Sequence, residues 1–522
     1  MPDPTDRRSP ALRILWAAVL GAGGLAAVLF LFGVSQRLLY PHELEWMEGA
    51  MVDHASRVAN GLPLYCAPGP EHVPFLYAPL LFWIGGVAME LGCDGLFVLR
   101  FIATAMSIGS AMLIGHWVRR ETGRLAPGLA ATGLFLAGHG WLAWWLDLAR
   151  NDSLFVFPSV ACAYVLRYGG SRRWLGAAAL ATAAFLAKQT ALSWLPAIAV
   201  GAFCVDWRTA LRFCGATLLG AGAVAFVMHI ASDGWSTFWI FEMPRHHGVV
   251  TARIAGFWTD DLRILLPTIA LGLSGFVAAC RAGRARQALF LAAFGSGALL
   301  ASWMSAMHVG GYDNVMMYAL AGAAVLGGIG AAGRGRVMRI AGPTLLLVQL
   351  ALFGNAAVAR DPLHTLLPEP AHRRAHEELR AFVQSQPGPV WAPGHGGLGL
   401  ALGRGTGAHG QAIFDLLQLL PRLPSGEFDL TALVDRTKLA HLSPRAQDAV
   451  TGFYERSVAA LRERRFTAIV VDEVGTQLFP VLFAPGLEGW TRRAEPLLRE
   501  PGAIRPLVGF DLRSPYALLA PR

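Results

Sequence analysis

Apolar stretches near or above the ~20 residues that cross a bilayer begin near Ile14, Leu96, Leu125, Ser153, Trp174, Thr190, Ala210, Ile264, Ala288, Val315 and Ile340. The pattern predicts a mainly α, polytopic membrane protein of about eleven transmembrane helices. The first stretch, Ile14 to Val34, is long and no small-x-small cleavage site follows it, so it reads as a retained anchor rather than a signal peptide. Val73 to Leu91 is also apolar, and the positive-inside rule decides its place. If it spanned, Arg119, Arg120 and Arg124 would face outward. If it is re-entrant or interfacial, every Arg cluster falls on the cytoplasmic side: Arg7/Arg8/Arg13, Arg119/Arg120/Arg124, Arg167/Arg172/Arg173, Arg208/Arg212, Arg281/Arg284/Arg286 and Arg334/Arg336/Arg339. The second arrangement puts the N-terminus in the cytoplasm and, with an odd number of spans, the C-terminus outside.

After about Val358 the pattern changes to a charge-balanced segment with an amphipathic run near His372 to Gln384 and a β-like run at Phe466 to Asp472. The expected organisation is a transmembrane domain over 1–360, with its first outer loop at 35–95, and an extracytoplasmic α/β domain over 361–522. Pro393 to Gly410 is rich in glycine but lacks the strand-GxGxxG-helix arrangement of a dinucleotide site, and it reads as a structural loop.

Composition agrees with a membrane protein: of 522 residues 54% are hydrophobic and 15% charged, against roughly 25% charged in an ordinary soluble domain. Only two basic residues are lysine, Lys188 and Lys438, so the arginine excess reflects coding bias. Of the net charge of +9, +8 lies in the apolar part up to Arg360, as arginines that orient helices, and leaves no surface for nucleic acid. Acidic residues do the opposite. Up to Arg360 only Asp3, Asp6, Glu121 and Asp206 sit inside, and the others gather on the outer face. Carboxylates contribute little to topology, so this asymmetry points to an outer site.

The first outer loop, His42 to Leu80, sets Glu45, Glu48, Tyr65 and Tyr77 among membrane aromatics. On a helix Glu45 and Glu48 would share a face, one acting as a base and the other orienting it or raising its pKa. The next outer turn, DLARND, carries Asp147, Arg150 and Asp152, suited to a phosphate and a hard divalent cation. LAKQTAL holds Lys188 and Gln189, and a cation in an apolar hairpin is expensive unless paired or functional. FEMPRHHG, with His246, and HVGGYDN, with Asn314, fill the remaining outer loops. Cys66 and Cys93 both lie in the first outer loop, where an oxidising compartment permits a disulfide. No P-loop or kinase signature occurs, so no nucleotide cofactor is expected. A lipid-facing site of this kind fits sugar transfer from a lipid-linked phosphate, which needs a base for the acceptor and positive charge for the leaving oxygen.

The sequence resembles the multi-spanning GT-C glycosyltransferases that use lipid-phosphate sugars, in particular the family 39 branch with protein mannosyltransferases, the aminoarabinose transferase of lipid A and the RgtA/B/C/D-like proteins. The carriers are E-W-M-E-G in the first loop, N-G-L-P-L-Y at Asn60 to Tyr65, Y-A-P-L at Tyr77 to Leu80, Arg100, A-R-N-D-S at Ala149 to Ser153, A-K-Q-T at Ala187 to Thr190 and the Asn314 loop, over roughly residues 10 to 330. The resemblance implies an inverting transferase of the inner membrane that takes a sugar from a polyprenyl-phosphate donor to a glycan, lipid or protein acceptor. The base would be Glu45 with Glu48 as neighbour; Asp152 would match an acidic residue sometimes associated with Mg or Mn, and Arg150, Lys188 and Gln189 would hold the donor phosphate. Tyr65, Tyr77, His246 and Asn314 are the expected substrate contacts. The first-loop acid is commonly Asp in this family and here is Glu, which leaves Glu45 and Glu48 both open as base. The competing readings are a transporter or flippase of lipid-linked glycans, which calls for charges at the midplane of broken helices, and a silent membrane assembly protein.

Overall fold

The structure, a computed structural model, describes residues 10–333, 335–360, 367–398 and 407–521. Asp3, Asp6, Arg7, Arg8, Arg334 and the centre of the Pro393–Gly410 stretch lie outside the described residues.

Each apolar stretch is helical. In chain order the membrane part consists of α1 (Pro10–Arg37), α2 (Glu48–Ala59), α3 (Leu80–Glu90), α4 (Gly95–Thr122), α5 (Leu125–Trp141), α6 (Asn151–Tyr168), α7 (Arg173–Ala187), α8 (Ala191–Val205) and α9 (Trp207–Ala231). It continues with α10 (Ala252–Arg281), α11 (Ala285–Met307), α12 (Asp313–Ala331) and α13 (Arg336–Ala359). Seven of these, α1, α4 and α9 to α13, are long and apolar enough to cross a membrane. The expected count of eleven does not follow from length and apolarity alone, because α5, α6, α7 and α8 are shorter or less apolar. The turns that carry Arg150 and Lys188 cut into these apolar stretches and leave α7 and α8 with 15 residues each. The ambiguous Val73–Leu91 stretch forms only the 11-residue α3, about 17 Å long at 1.5 Å per residue and too short to span.

The helix ends follow local chemistry. Asp94 caps α4 by accepting from the Phe97 amide at 2.9 Å, and Gly123 ends it at φ 68°, a backbone that costs glycine nothing. α1 and α5 approach so closely at Gly23 and Gly133 that a Cβ on Gly133 would lie 2.6 Å from the Gly23 Cα, the small-residue contact that membrane helices use. α12 is enclosed by its neighbours, whereas α9 exposes Leu218, Leu219, Phe226, Val227 and Ile230, a face suited to lipid.

Beyond Arg360 come α14 (Pro370–Ser385), α15 (Gly410–Leu417) and α16 (Pro444–Arg462), with strands β1 (Val390–Trp391), β2 (Ala468–Val474), β3 (Thr491–Arg492) and β4 (Arg513–Leu519). The amphipathic and β-like runs read from the sequence are α14 and β2. The strands form a mixed sheet in the order β1-β2-β4-β3, with β1 parallel to β2 and β4 antiparallel to both β2 and β3. This layer sits on the loop between α1 and α2. The Val508 amide donates to Leu44 O at 3.1 Å, Trp46 packs on Phe510 with ring centroids 4.8 Å apart, and the two parts share one buried core.

Candidate active site

Three short connections converge beneath the C-terminal layer: the loop that follows α1, the turn before α6 and the turn between α7 and α8. The helical pairing expected for Glu45 and Glu48 does not occur, because α2 begins at Glu48 and Glu45 precedes it in an isolated bridge to Val508. The two carboxylates therefore point to different partners.

Glu48 is fully buried. Its Oε1 accepts from Arg100 Nε at 3.0 Å and the Ala149 amide at 2.9 Å; its Oε2 accepts from Arg100 Nη2 at 2.5 Å and the Leu44 amide at 2.8 Å. Burial opposes its charge, but Arg100 and these donors outweigh burial and hold its pKa below the ordinary value. Arg100 also donates to the carbonyls of Arg37, Tyr40 and His42. Glu48 is thus the centre of a brace that fixes the loop to α4.

Glu45 is equally buried, yet its hydrogen bonds, from the Met47 amide and from Arg150 Nη1, each 3.1 Å long, both fall on Oε2. Burial pushes its pKa up to about 7; Arg150 opposes the shift and Glu48 adds to it. A carboxyl poised there can act as a base near neutral pH.

Arg150 links Glu45 to the rest of the site. Its Nη2 donates to Tyr77 OH at 2.7 Å, its guanidinium lies 5.5 Å from the Tyr77 ring and 5.4 Å from the Trp145 ring, and its Nε is buried without a hydrogen-bond partner. The turn that presents it holds Ala143 and Trp144 at φ 49° and 64°, a costly left-handed pair for non-glycine residues. Arg37 supports that turn, with Nη2 donating to Trp144 O at 3.1 Å and Nη1 lying 3.3 Å from Asp147 Oδ1. Asp147 is therefore part of the scaffold of the turn.

Next to Arg150, Asp152 opens α6. Its Oδ1 accepts from Lys188 Nζ at 2.6 Å and Tyr318 OH at 2.8 Å, and its Oδ2 accepts from Asn314 Nδ2 at 2.9 Å. Lys188 also donates to Tyr318 OH at 2.9 Å. The half-buried cation thus has a counter-ion. Both oxygens of the Asp152 carboxylate are taken, and the Lys188 ammonium is paired with Oδ1.

Among the other expected residues, Gln189 Nε2 donates to Leu76 O at 2.9 Å while its Oε1 is buried without a hydrogen-bond partner. Tyr65 serves the loop itself, donating to Tyr77 O at 2.6 Å. The His246 side chain makes no hydrogen bond among the described residues; that of its neighbour His247 lies 3.4 Å from Asp415 of α15. Cys66 and Cys93 are free thiols, not a disulfide. The sequence reading missed Tyr318 and Asp415. A lone phenol inside the apolar run M-M-Y-A-L-A was a signal for Tyr318. Asp415, whose carboxyl burial raises and whose charge faces Arg150, had none, since nothing in the chain announces that α15 covers the site.

No protein-family model and no curated relative matches the chain. Solved structures do. ArnT from Cupriavidus metallidurans bound to undecaprenyl phosphate superposes with a TM-score of 0.57 at 11% identity, covering 96% of this chain and 98% of that one. The same protein in its apo state gives 0.55 at 13% identity with the same coverage. The archaeal oligosaccharyltransferase AglB from Archaeoglobus fulgidus, in complex with an inhibitory peptide and a dolichol-phosphate, gives 0.47 at 12% identity over 91% of this chain and 72% of that one. Over nearly its whole length the chain therefore has the GT-C fold of ArnT, a multi-pass membrane architecture.

Proposed function

We propose that the protein is an integral membrane glycosyltransferase that moves a sugar from a polyprenyl-phosphate donor to a glycan, lipid or protein acceptor on the outer face of the membrane, with inversion at the anomeric carbon. One observation carries the reading: a buried carboxyl, Glu45, is held near neutral pH beside Arg150, whose Nε is buried without a protein acceptor. The first group suits removal of an acceptor proton and the second suits an anionic headgroup. The fold supports this, since ArnT is described bound to undecaprenyl phosphate.

In the proposed reaction Glu45 takes the acceptor hydroxyl proton as the acceptor oxygen bonds to the anomeric carbon. The bond from that carbon to the phosphate oxygen breaks, and the electron pair leaves with the phosphate. Arg150 and Lys188 offset its charge and Gln189 and Tyr77 orient the headgroup. Asp152 sets the position of Lys188 and needs no divalent ion to do so. The chain would cross the inner membrane eleven times, with α5 to α8 completing the bundle and the segment after Arg360 forming an extracytoplasmic domain that covers the site. The test is release of polyprenyl phosphate from a sugar-loaded donor by the purified protein. Release by wild type and its loss in Glu45→Gln support the reading; full release by Glu45→Gln overturns the assignment of the base.

A further inference from the structure

Helix α15 roofs the site, and its Asp415 is a buried carboxylate that the proposed reaction leaves unused. The helix starts against the loop that carries the base. His409, its N-cap, lies with its ring centroid 4.9 Å from that of Trp46; its Nε2–H donates to Trp46 O at 3.0 Å and its Nδ1 accepts from the Gln411 amide at 3.1 Å. Asp415 follows about 9 Å further along the helix axis, where His247, from the loop after α9, meets it. Its Oδ1 accepts from Gln411 Nε2, one turn back, at 2.6 Å, and its Oδ2 accepts from none of the described residues. The charge of Asp415 acts on Arg150 and on the Tyr77 hydroxyl, so it stands at the headgroup end of the site.

Two more acceptors in the same region lack a donor. Asn314 Nδ2 donates to Asp152 and Gln189 Nε2 donates to Leu76 O, which fixes the orientation of both amides. Asn314 Oδ1 and Gln189 Oε1 are then left buried without a hydrogen-bond partner. Buried acceptors without donors are costly. A polyprenyl phosphate cannot serve them, because its chain is apolar and its phosphate oxygens are themselves acceptors. Those oxygens suit Arg150 and Lys188 and are repelled by Asp415. Sugar hydroxyls are donors, and they are the part of the donor molecule that can meet this need.

We propose that Asp415, together with Asn314, reads hydroxyl groups of the donor's sugar, and that this sugar is a neutral hexose or pentose rather than a uronic acid. A hydroxyl donating to a carboxylate makes a charge-assisted bond. A site built around such bonds rejects a ligand that lacks the hydroxyl far more strongly than an apolar pocket rejects a missing methylene. The same carboxylate supplies the repulsive half of the selection, since a sugar carboxylate placed there would face a like charge. Gln411 and His247 act as positioning residues that hold Asp415 in the roof.

The inference rests on the proposed function, and measuring affinity rather than transfer separates the two. Calorimetry on the purified full chain in detergent uses undecaprenyl phosphate, either bare or carrying glucose, galactose, mannose, xylose or glucuronate. Wild type should bind at least one neutral-sugar donor about tenfold or more tighter than the bare lipid, and the glucuronate donor no tighter than the bare lipid. Asp415→Ala should abolish most of that preference while affinity for the bare lipid stays unchanged. Asp415→Asn, which keeps the shape and loses the charge, should bind the glucuronate donor about tenfold better than wild type does. A preference undiminished in Asp415→Ala, a loss of bare-lipid affinity as large as the loss of donor affinity, or unchanged exclusion of glucuronate in Asp415→Asn overturns the inference. Bare lipid bound by wild type without preference for any sugar overturns it and leaves the proposed function standing; no binding of any of these lipids overturns both. Should Asp415→Ala fail to fold, the glucuronate comparison with Asp415→Asn decides.

Discussion

Arg100 grips both oxygens of Glu48, through Nε at 3.0 Å and Nη2 at 2.5 Å, at a point where neither side chain touches solvent. Removing one member of such a pair leaves the other charge buried and unpaired, which typically costs about 3–5 kcal/mol. Arg100→Leu is therefore expected to lower the thermal unfolding temperature in detergent sharply, because it strands the Glu48 carboxylate and frees three backbone carbonyls. Glu48→Gln should destabilise less, since the amide still accepts from Ala149 or Leu44. An unfolding temperature for Arg100→Leu equal to wild type would show that the brace is not structural.

Glu45 should be read by pH. Its carboxyl is raised from an ordinary value near 4.5 to about 7, so the folded chain binds this proton more tightly than the unfolded chain. Its contribution to stability is therefore complete below about 4.5 and is lost as the pH rises through about 7. Activity has the opposite sign, because only the ionised form accepts a proton: kcat/KM should climb through about 7. Both dependences should vanish in Glu45→Gln, whose rate should fall about 10²- to 10⁴-fold with the fold intact. A flat pH profile for wild type between 6 and 8 would remove Glu45 from the chemistry.

The contrast between these two glutamates marks what the chain discloses by itself. The E-W-M-E-G pattern and the order of the outer turns expose the fold and bring Glu45, Arg150, Asp152, Lys188 and Asn314 to one region. Roles inside the region were not legible. The two carboxylates differ only in what lies opposite them, Arg100 across 52 residues and Arg150 across 105, and one-dimensional spacing carries no such pairing. Helix periodicity misled for the same reason: Glu45 falls outside α2 because its backbone pairs with Val508, 463 residues on. His246 and His247 are adjacent, and nothing in the chain announces that Asp415 of α15 meets His247.

Lys188 and Asp152 give a prediction on the donor. Lys188→Met removes the cation and leaves Asp152 buried with only Tyr318 and Asn314 as donors. Donor KM should rise and donor binding weaken, since a charge-assisted contact is typically about twice a neutral one. Tyr318→Phe should do the same to a smaller degree by loosening Lys188. Because the Asp152 oxygens are already taken, saturating Mg2+ or Mn2+ should leave the rate unchanged. A rate that depends on either ion, with the dependence lost in Asp152→Asn, would restore a metal role to that carboxylate.

The last prediction concerns how the C-terminal layer holds the loop that carries Glu45. His395 is buried between Asp472 of β2 and Glu43 of the loop. Burial, the largest influence, opposes its charge, but Asp472 and Glu43 overcome it and lift its pKa to about 10. The imidazolium is thus a wedge of positive charge between two carboxylates that would otherwise face each other across the interface. A folded pKa above the unfolded value means that this stability is fully present below about 6.5 and is lost as the pH rises through about 10. His395→Leu removes the charge at every pH, so the layer should part from the loop more readily and the segment after Arg360 should be cleaved faster in limited proteolysis at neutral pH. His395→Lys, which keeps a cation there, should retain much of the protection. Equal cleavage rates for wild type and His395→Leu at pH 7, where the imidazolium should be intact, would show that this ion cluster does not secure the interface; near pH 10 the two should converge.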